Sequence, residues 1–190
     1  PHFLQPGPGW GGSCFPKDVK ALSDTAARAG MELQIASAVE AVNASQKKVL
    51  GQKIVARFGE DLTGLRVAVW GLAFKPQTDD MREAPSLVLI AELLERGATV
   101  AAYDPEAILT ARAELGERVD YAESAMDAAR DADALVLVTE WNEFRNPDLD
   151  VLRAALVGLG AAVDDAPDRA VSLGSALWCG LDRADHSSAP

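Results

Sequence analysis

The chain has 190 residues, 48% of them hydrophobic, and carries a net charge of −11. That length fits one large domain or two small ones, with enough apolar content for a core. The acidic balance argues against nucleic acid, whose phosphates need a basic face; no run of 18 apolar residues offers a membrane span, and two cysteines far apart make no disulfide framework.

Residues 1–16 read as loop. Gly7-Pro8-Gly9-Trp10-Gly11-Gly12 places four glycines within six residues, a composition that suits neither helix nor strand. Glycine lets a backbone approach a ligand closely. Ser13-Cys14-Phe15-Pro16-Lys17-Asp18 follows at once. A helix starting near Pro16 puts Cys14 at its N-terminal end, where unpaired N–H groups and the helix dipole favour negative charge. Two readings stand: a ligand-hugging loop leading into an activated nucleophile, or a glycine-rich turn beside a structural cysteine.

The first helix is expected over 16–29, with Gly30 closing it and Val19, Leu22 and Ala26 as its apolar stripe. A much longer helix is expected over 32–58. At 1.5 Å per residue it would run roughly 40 Å, more than a small domain needs. It suits a linker between domains that also forms a dimer seam better than a plain core helix. Gly51 within it marks a close contact.

After Leu62-Thr63-Gly64 the period changes. Residues 66–70 form a short apolar strand of parallel-sheet type, and 71–84 a long loop. Pro85 sits at a first helical position, opening a helix to Arg96. Strand 99–103 ends at Asp104-Pro105, and a helix follows over 105–115. A short strand over 118–121, a Ser124-capped helix to Arg130, the clear strand 134–138 and a helix over 149–156 complete the pattern. Such alternation makes a parallel, doubly wound sheet. G-x-G-x-x-G is absent after the first strand, so the sheet is Rossmann-like without that phosphate loop. Asp104 stands where a ribose-binding acid often sits, but an Asp-Pro turn residue is the preferred reading. Phe74, Lys75, Arg82 and the loop after Thr139-Glu140-Trp141 fall at the mouth of the site, beyond the strands' carboxyl ends.

Two segments carry a resemblance. Gly11-Gly12-Ser13-Cys14-Phe15-Pro16-Lys17-Asp18 is similar to the active-site segment of the UDP-glucose/GDP-mannose dehydrogenase family. Gly71-Leu72-Ala73-Phe74-Lys75-Pro76, followed by Thr78-Asp79-Asp80-Met81-Arg82-Glu83-Ala84-Pro85-Ser86, resembles a second family motif. Both favour the UDP-glucose 6-dehydrogenase branch over the GDP-mannose and UDP-N-acetylmannosamine branches.

The resemblance implies an NAD-binding Rossmann domain upstream, expected to be missing from this chain, then a long central helix of a homodimer and a UDP-binding domain. The corresponding division is 1–60 for the active-site loop and dimerisation helices, 61–157 for the Rossmann-like UDP-sugar domain, and 158–190 for the tail. It implies Cys14 as nucleophile with Asp18 as its partner in activating water or moving protons. Gln5, Pro6, Gly7, Pro8, Gly9, Trp10 and Gly11, with Phe74 and Lys75, match substrate contacts. Cys14, Lys17 and Arg82 border the NAD cofactor. The implied reaction is double oxidation of UDP-glucose to UDP-glucuronate by two NAD through a cysteine thiohemiacetal and thioester; no metal is expected, and the lack of a visible signal peptide and of a disulfide framework favours the cytoplasm. The alternative from another class is a UDP-sugar-binding and dimerisation fragment without turnover.

The tail departs from the family. Asp164 could match a family Asp, but Asp165-Ala166 follows where the family has Gly-Arg. A shifted reading frame or a divergent end would give this text. One strand at most is expected, over 161–163, then little regular structure, with Cys179 incidental.

Overall fold

The computed structural model describes residues 7–145, 147–157, 170–173 and 176–179. Gln5, Pro6 and the expected strand 161–163 lie outside these. Helix α1 (Phe15–Arg28) begins with Pro16 in its first turn, where a missing N–H costs nothing. It ends at Ala29, and Gly30 follows at φ +73°. The expected single helix over 32–58 is two: α2 (Gln34–Gln46) and α3 (Val49–Phe58). At the join, Lys48 N–H donates to the Ser45 carbonyl, three residues back instead of four, so one tightened turn interrupts the α-helical ladder. The two pieces also have different neighbours. In α2, Ile35 and Val42 lie exposed, whereas Leu50 and Ile54 of α3 are buried in the sheet domain's core. Gly51 lies where any Cβ would strike the Glu92 carboxylate of the next helix.

Beyond α3 come β1 (Arg66–Trp70), α4 (Pro85–Glu95), β2 (Thr99–Tyr103), α5 (Ile108–Leu115), β3 (Asp120–Tyr121), α6 (Ala125–Ala129), β4 (Ala134–Leu137) and α7 (Leu149–Val157). Pro85 starts α4 and Ser124 caps α6, accepting from Asp127 N–H at 3.1 Å. With β5 (Ala170–Leu173) and β6 (Ala176–Cys179), the sheet order among the described residues is β3-β2-β1-β4-β5-β6. Pairings among β1 to β5 are parallel, and β6 is antiparallel to β5. That is the doubly wound order, with the reversal between β1 and β4.

Alternation along each strand feeds two cores. Val67, Val69, Val100, Ala102, Ala134 and Val136 face one layer with α3 and α4. Ala68, Trp70, Ala101, Leu135 and Leu137 face the other with Phe144 and α7. Burial on both faces explains why β1 and β4 read as unbroken apolar runs.

The tail expectation needs correction. Strands β5 (Ala170–Leu173) and β6 (Ala176–Cys179) extend the sheet, β5 pairing with β4 and β6 folding back on β5. Each is only four residues long. What specifies them is the open edge of β4, a partner distant in sequence, which local periodicity does not reveal.

Candidate functional site

The sheet order reverses between β1 and β4, and the loop after β1 begins at the strands' carboxyl ends there, where ligands of such sheets bind. Its backbone is satisfied from within. Gly71 N–H donates to Tyr103 O, Leu72 and Ala73 N–H both donate to Asp104 Oδ2 at 2.7 and 3.1 Å, and Phe74 N–H donates to Asp80 O. The Leu72 carbonyl accepts from Ser86 Oγ, and the Ala73 carbonyl from Thr139 Oγ1 at 2.6 Å. In a dinucleotide fingerprint, N–H groups at this place meet a pyrophosphate. Here a protein carboxylate takes them.

Asp104 is therefore more than a turn residue. It is 1% exposed. Its second oxygen accepts from Glu106 and Ala107 N–H, both at 2.9 Å, and Oδ2 also accepts from Trp141 Nε1 at 3.2 Å. One carboxylate thus ties together the loops after β1, β2 and β4. The Asp-Pro pair signals a turn, but nothing local in the sequence announces five donors converging from three loops.

The glycine loop docks on the other side of the 71–84 loop. Gly12 N–H donates to the Arg82 carbonyl at 2.7 Å. Gly12 has φ +95°, and a Cβ there would sit 2.9 Å from the Phe74 ring; only glycine combines that conformation with that contact. A Cβ on Gly11 would run into the Glu83 carbonyl oxygen. From the helix side, Asn43 accepts from Trp10 N–H at 2.8 Å and donates to Trp10 O at 3.1 Å, while Gln46 donates to Gly7 O at 2.7 Å. The Trp10 ring packs edge-on against Phe15, centroids 4.6 Å apart.

Charge gathers at this junction. Glu83 has φ +55°, a left-handed conformation uncommon outside glycine. Its carboxylate pairs with buried Lys47 at 3.2 Å and with Lys20 at 3.4 Å. Hydrogen bonding and charge from Lys47, then Lys20, hold Glu83 below the usual carboxylate range. Arg82 makes a two-pronged contact with Asp80, Nε to Oδ1 at 2.9 Å and Nη2 to Oδ2 at 2.8 Å. The pair lowers Asp80 and raises Arg82, and the nearby Cys14 sulfur adds a smaller contribution to Arg82.

Cys14 stands exposed at the N-cap of α1, with Ser13 Oγ 3.7 Å from its sulfur. Lys17 and Asp18 lie 3.5 Å apart, both largely exposed. Beside Cys14 opens a groove of about 490 Å³ walled by Gly12, Ser13, Lys17, Lys20, Arg82 and Glu83 among others. Lys75 lies over the Phe74 ring at 5.4 Å. The structure thus gathers Gly11, Gly12, Phe74 and Arg82 around the cysteine segment; Gly7 and Trp10 are held from α2. Asn43, Gln46 and Lys47 were not signalled as site residues by the sequence, and Asp104 was signalled only as a position where a ribose-binding acid often sits.

Sheet order and docked cysteine loop define a doubly wound α/β protein of the nucleotide-binding type. The chain belongs to the UDP-glucose/GDP-mannose dehydrogenase family: residues 68–166 match the family's UDP binding domain and residues 1–45 its central domain. It is similar to UDP-glucose 6-dehydrogenases of Rhizobium meliloti (46% identical over 154 residues, 81% of this chain and 35% of the relative) and Pseudomonas aeruginosa (49% over 160 residues, 82% and 35%). A UDP-glucose dehydrogenase structure from the archaeon Pyrobaculum islandicum superposes with a TM-score of 0.71 at 40% identity, covering 75% of this chain and 33% of that one. The chain spans about a third of the length of these relatives. Among the described residues, no helix is long and apolar enough to cross a membrane.

Proposed function

We propose that this chain is the cysteine-bearing and UDP-binding part of an NAD-dependent UDP-glucose 6-dehydrogenase that works in the cytoplasm as a homodimer. The supporting observation is the docking of Gly12 N–H on the Arg82 carbonyl. It brings the segment carrying Cys14 against the 71–84 loop, at the mouth of a nucleotide-type sheet. Relatives named as UDP-glucose 6-dehydrogenases support the branch.

In this reading the glycine loop with Phe74 and Lys75 holds the UDP-sugar. Gln5 and Pro6 belong to the same segment. The donor set along the groove, Lys17 and Arg82 beside Ser13, fits a phosphate-bearing cofactor. Lys17 and Arg82 would hold NAD there, and NAD would supply the hydride acceptor for both oxidations at sugar C6. Cys14 supplies what the second oxidation needs. Its sulfur bonds to C6 of the aldehyde, the carbonyl oxygen takes a proton, and the thiohemiacetal carbon is tetrahedral. Oxidation of that carbon leaves a thioester. Water oxygen then bonds to C6, the C6–S bond breaks, and the thiol is restored with the carboxylate released. Sulfur suits both roles because it attacks carbonyls readily and leaves well. Asp18, one turn into α1 from Cys14, is the proposed partner for the water and the proton. Ile35, Val39 and Val42, exposed at helical spacing on α2, support the dimer seam.

The test uses the purified chain. It should bind UDP-glucose, with affinity reduced in Phe74→Ala and Lys75→Ala, and should produce no NADH, since the N–H groups after β1 that could grip a pyrophosphate are already taken and Lys17 and Arg82 only border the cofactor in this reading. Absence of UDP-glucose binding would remove the reading. Steady NADH production would show that the cofactor domain is misassigned.

A further inference from the structure

The exposed and buried sides of α2 do different things, and the buried side does not pack on the sheet. Asn43, Gln46 and Lys47 stand at i, i+3 and i+4, one face of the helix. All three reach the glycine loop or its anchor. Asn43 is 7% exposed, and both ends of its amide are used on one residue: Trp10 N–H to Oδ1 at 2.8 Å and Nδ2–H to Trp10 O at 3.1 Å. The side chain therefore acts as a strand partner for a loop with none. Gln46 holds Gly7 O at 2.7 Å. Lys47 holds Glu83, the neighbour of Arg82 that receives Gly12 N–H.

We infer that Asn43 is a positioning residue for the substrate loop: it fixes the loop from the helix side at Trp10, while Arg82 O fixes it from the sheet side at Gly12. The two attachments are two residues apart and flank Gly11, which lies on the Glu83 carbonyl. A loop of this composition has a large entropy to lose. A side chain that orders it beforehand removes that cost from ligand binding. Replacing Asn43 leaves the Trp10 N–H and C=O without their partner and returns the loop to many conformations. Asn43 stands on α2, outside the strands, and its amide bonds Trp10, so the effect is local. This inference rests on the reading of 7–12 as a substrate loop.

The experiment compares the full 190-residue chain with Asn43→Leu, which keeps a similar volume, and Asn43→Asp, which keeps the acceptor and loses the donor. Backbone amide exchange is followed by NMR, and UDP-glucose affinity by calorimetry. In Asn43→Leu, exchange at Trp10 and Gly12 should quicken at least about tenfold, and UDP-glucose affinity should fall by roughly tenfold, the factor that one or two neutral hydrogen bonds supply. Amides of β1, β2 and β4 should keep their wild-type rates, a selectivity that a general loss of stability would not give. Asn43→Asp should change Trp10 and Gly12 in the same direction, and it decides the matter if the leucine variant does not fold. Wild-type exchange at Trp10 and Gly12 in a folded variant would overturn the inference. If the wild-type chain binds no UDP-glucose, the functional reading fails, and the exchange data alone still decide the role of Asn43.

Discussion

Replacing Asp104 should be far more costly than its place in an Asp-Pro turn suggests. The carboxylate accepts five hydrogen bonds: from Leu72, Ala73 and Trp141 on one oxygen, and from Glu106 and Ala107 on the other. Asp104→Asn keeps one oxygen. If that oxygen stays with Leu72, Ala73 and Trp141, an amide N–H₂ now faces the Glu106 and Ala107 donors. Each buried donor left unpaired costs about 1–3 kcal/mol. Two donors, the first only partly buried, give about 2–4 kcal/mol for Asp104→Asn. Asp104→Ala deprives all five, but the space left can admit water that satisfies some, so about 3–5 kcal/mol is expected. For a chain of this size, about 1 kcal/mol shifts the melting midpoint by roughly 2–4 °C. Asp104→Asn should therefore melt roughly 4–16 °C lower, with Asp104→Ala lower again or equal. Thermal unfolding followed by circular dichroism measures the midpoints, and urea unfolding the free energies. Loss of less than about 1 kcal/mol in both variants would refute the idea that Asp104 ties the three loops together.

Gly12→Ala should weaken UDP-glucose binding strongly while leaving the sheet intact, because the new methyl meets the Phe74 ring and the φ of +95° disfavours alanine; calorimetry on the purified variant checks it. Glu83 is held below its ordinary value of 4.5 chiefly by Lys47. A lowered folded value means that its stabilisation is complete above the unfolded value and is lost as pH falls through the folded one. The stability difference between wild type and Glu83→Gln should thus be constant near neutral pH and shrink below about pH 4.5, read from urea midpoints across pH. Val42→Asp should convert a dimer to monomer in sedimentation, since Val42 is 67% exposed on the apolar side of α2. An unchanged sedimentation coefficient would remove α2 from the seam.

The sheet was legible because its signals are local. Strands β1 and β4 are short apolar runs, Pro85 opens α4, and Ser124 caps α6. Motif and resemblance both singled out Cys14 and its glycines, though the motif alone left a structural cysteine open; the structure docks that loop on the 71–84 loop. What stayed hidden depends on contacts distant in sequence. Asn43 inside a helical run reads as one more polar position, and only the approach of Trp10 gives it a task. Asp104 reads as a turn former because its donors come from loops 30 residues or more away as well as from its own. The break between α2 and α3 falls in a stretch without proline or glycine at the join, so the sequence reads as one helix. The strands β5 and β6 have four residues each and take their definition from the edge of β4.

The central claim is that Cys14 carries the second oxidation. It is tested most directly in an enzyme completed with the family's NAD-binding domain, comparing wild type with Cys14→Ala. UDP-glucuronate formation from UDP-glucose and NAD is measured by chromatography, with folding checked by circular dichroism. The variant should keep its fold and its UDP-glucose affinity and make essentially no UDP-glucuronate. Product formed at the wild-type rate would contradict the assignment of Cys14 as the nucleophile.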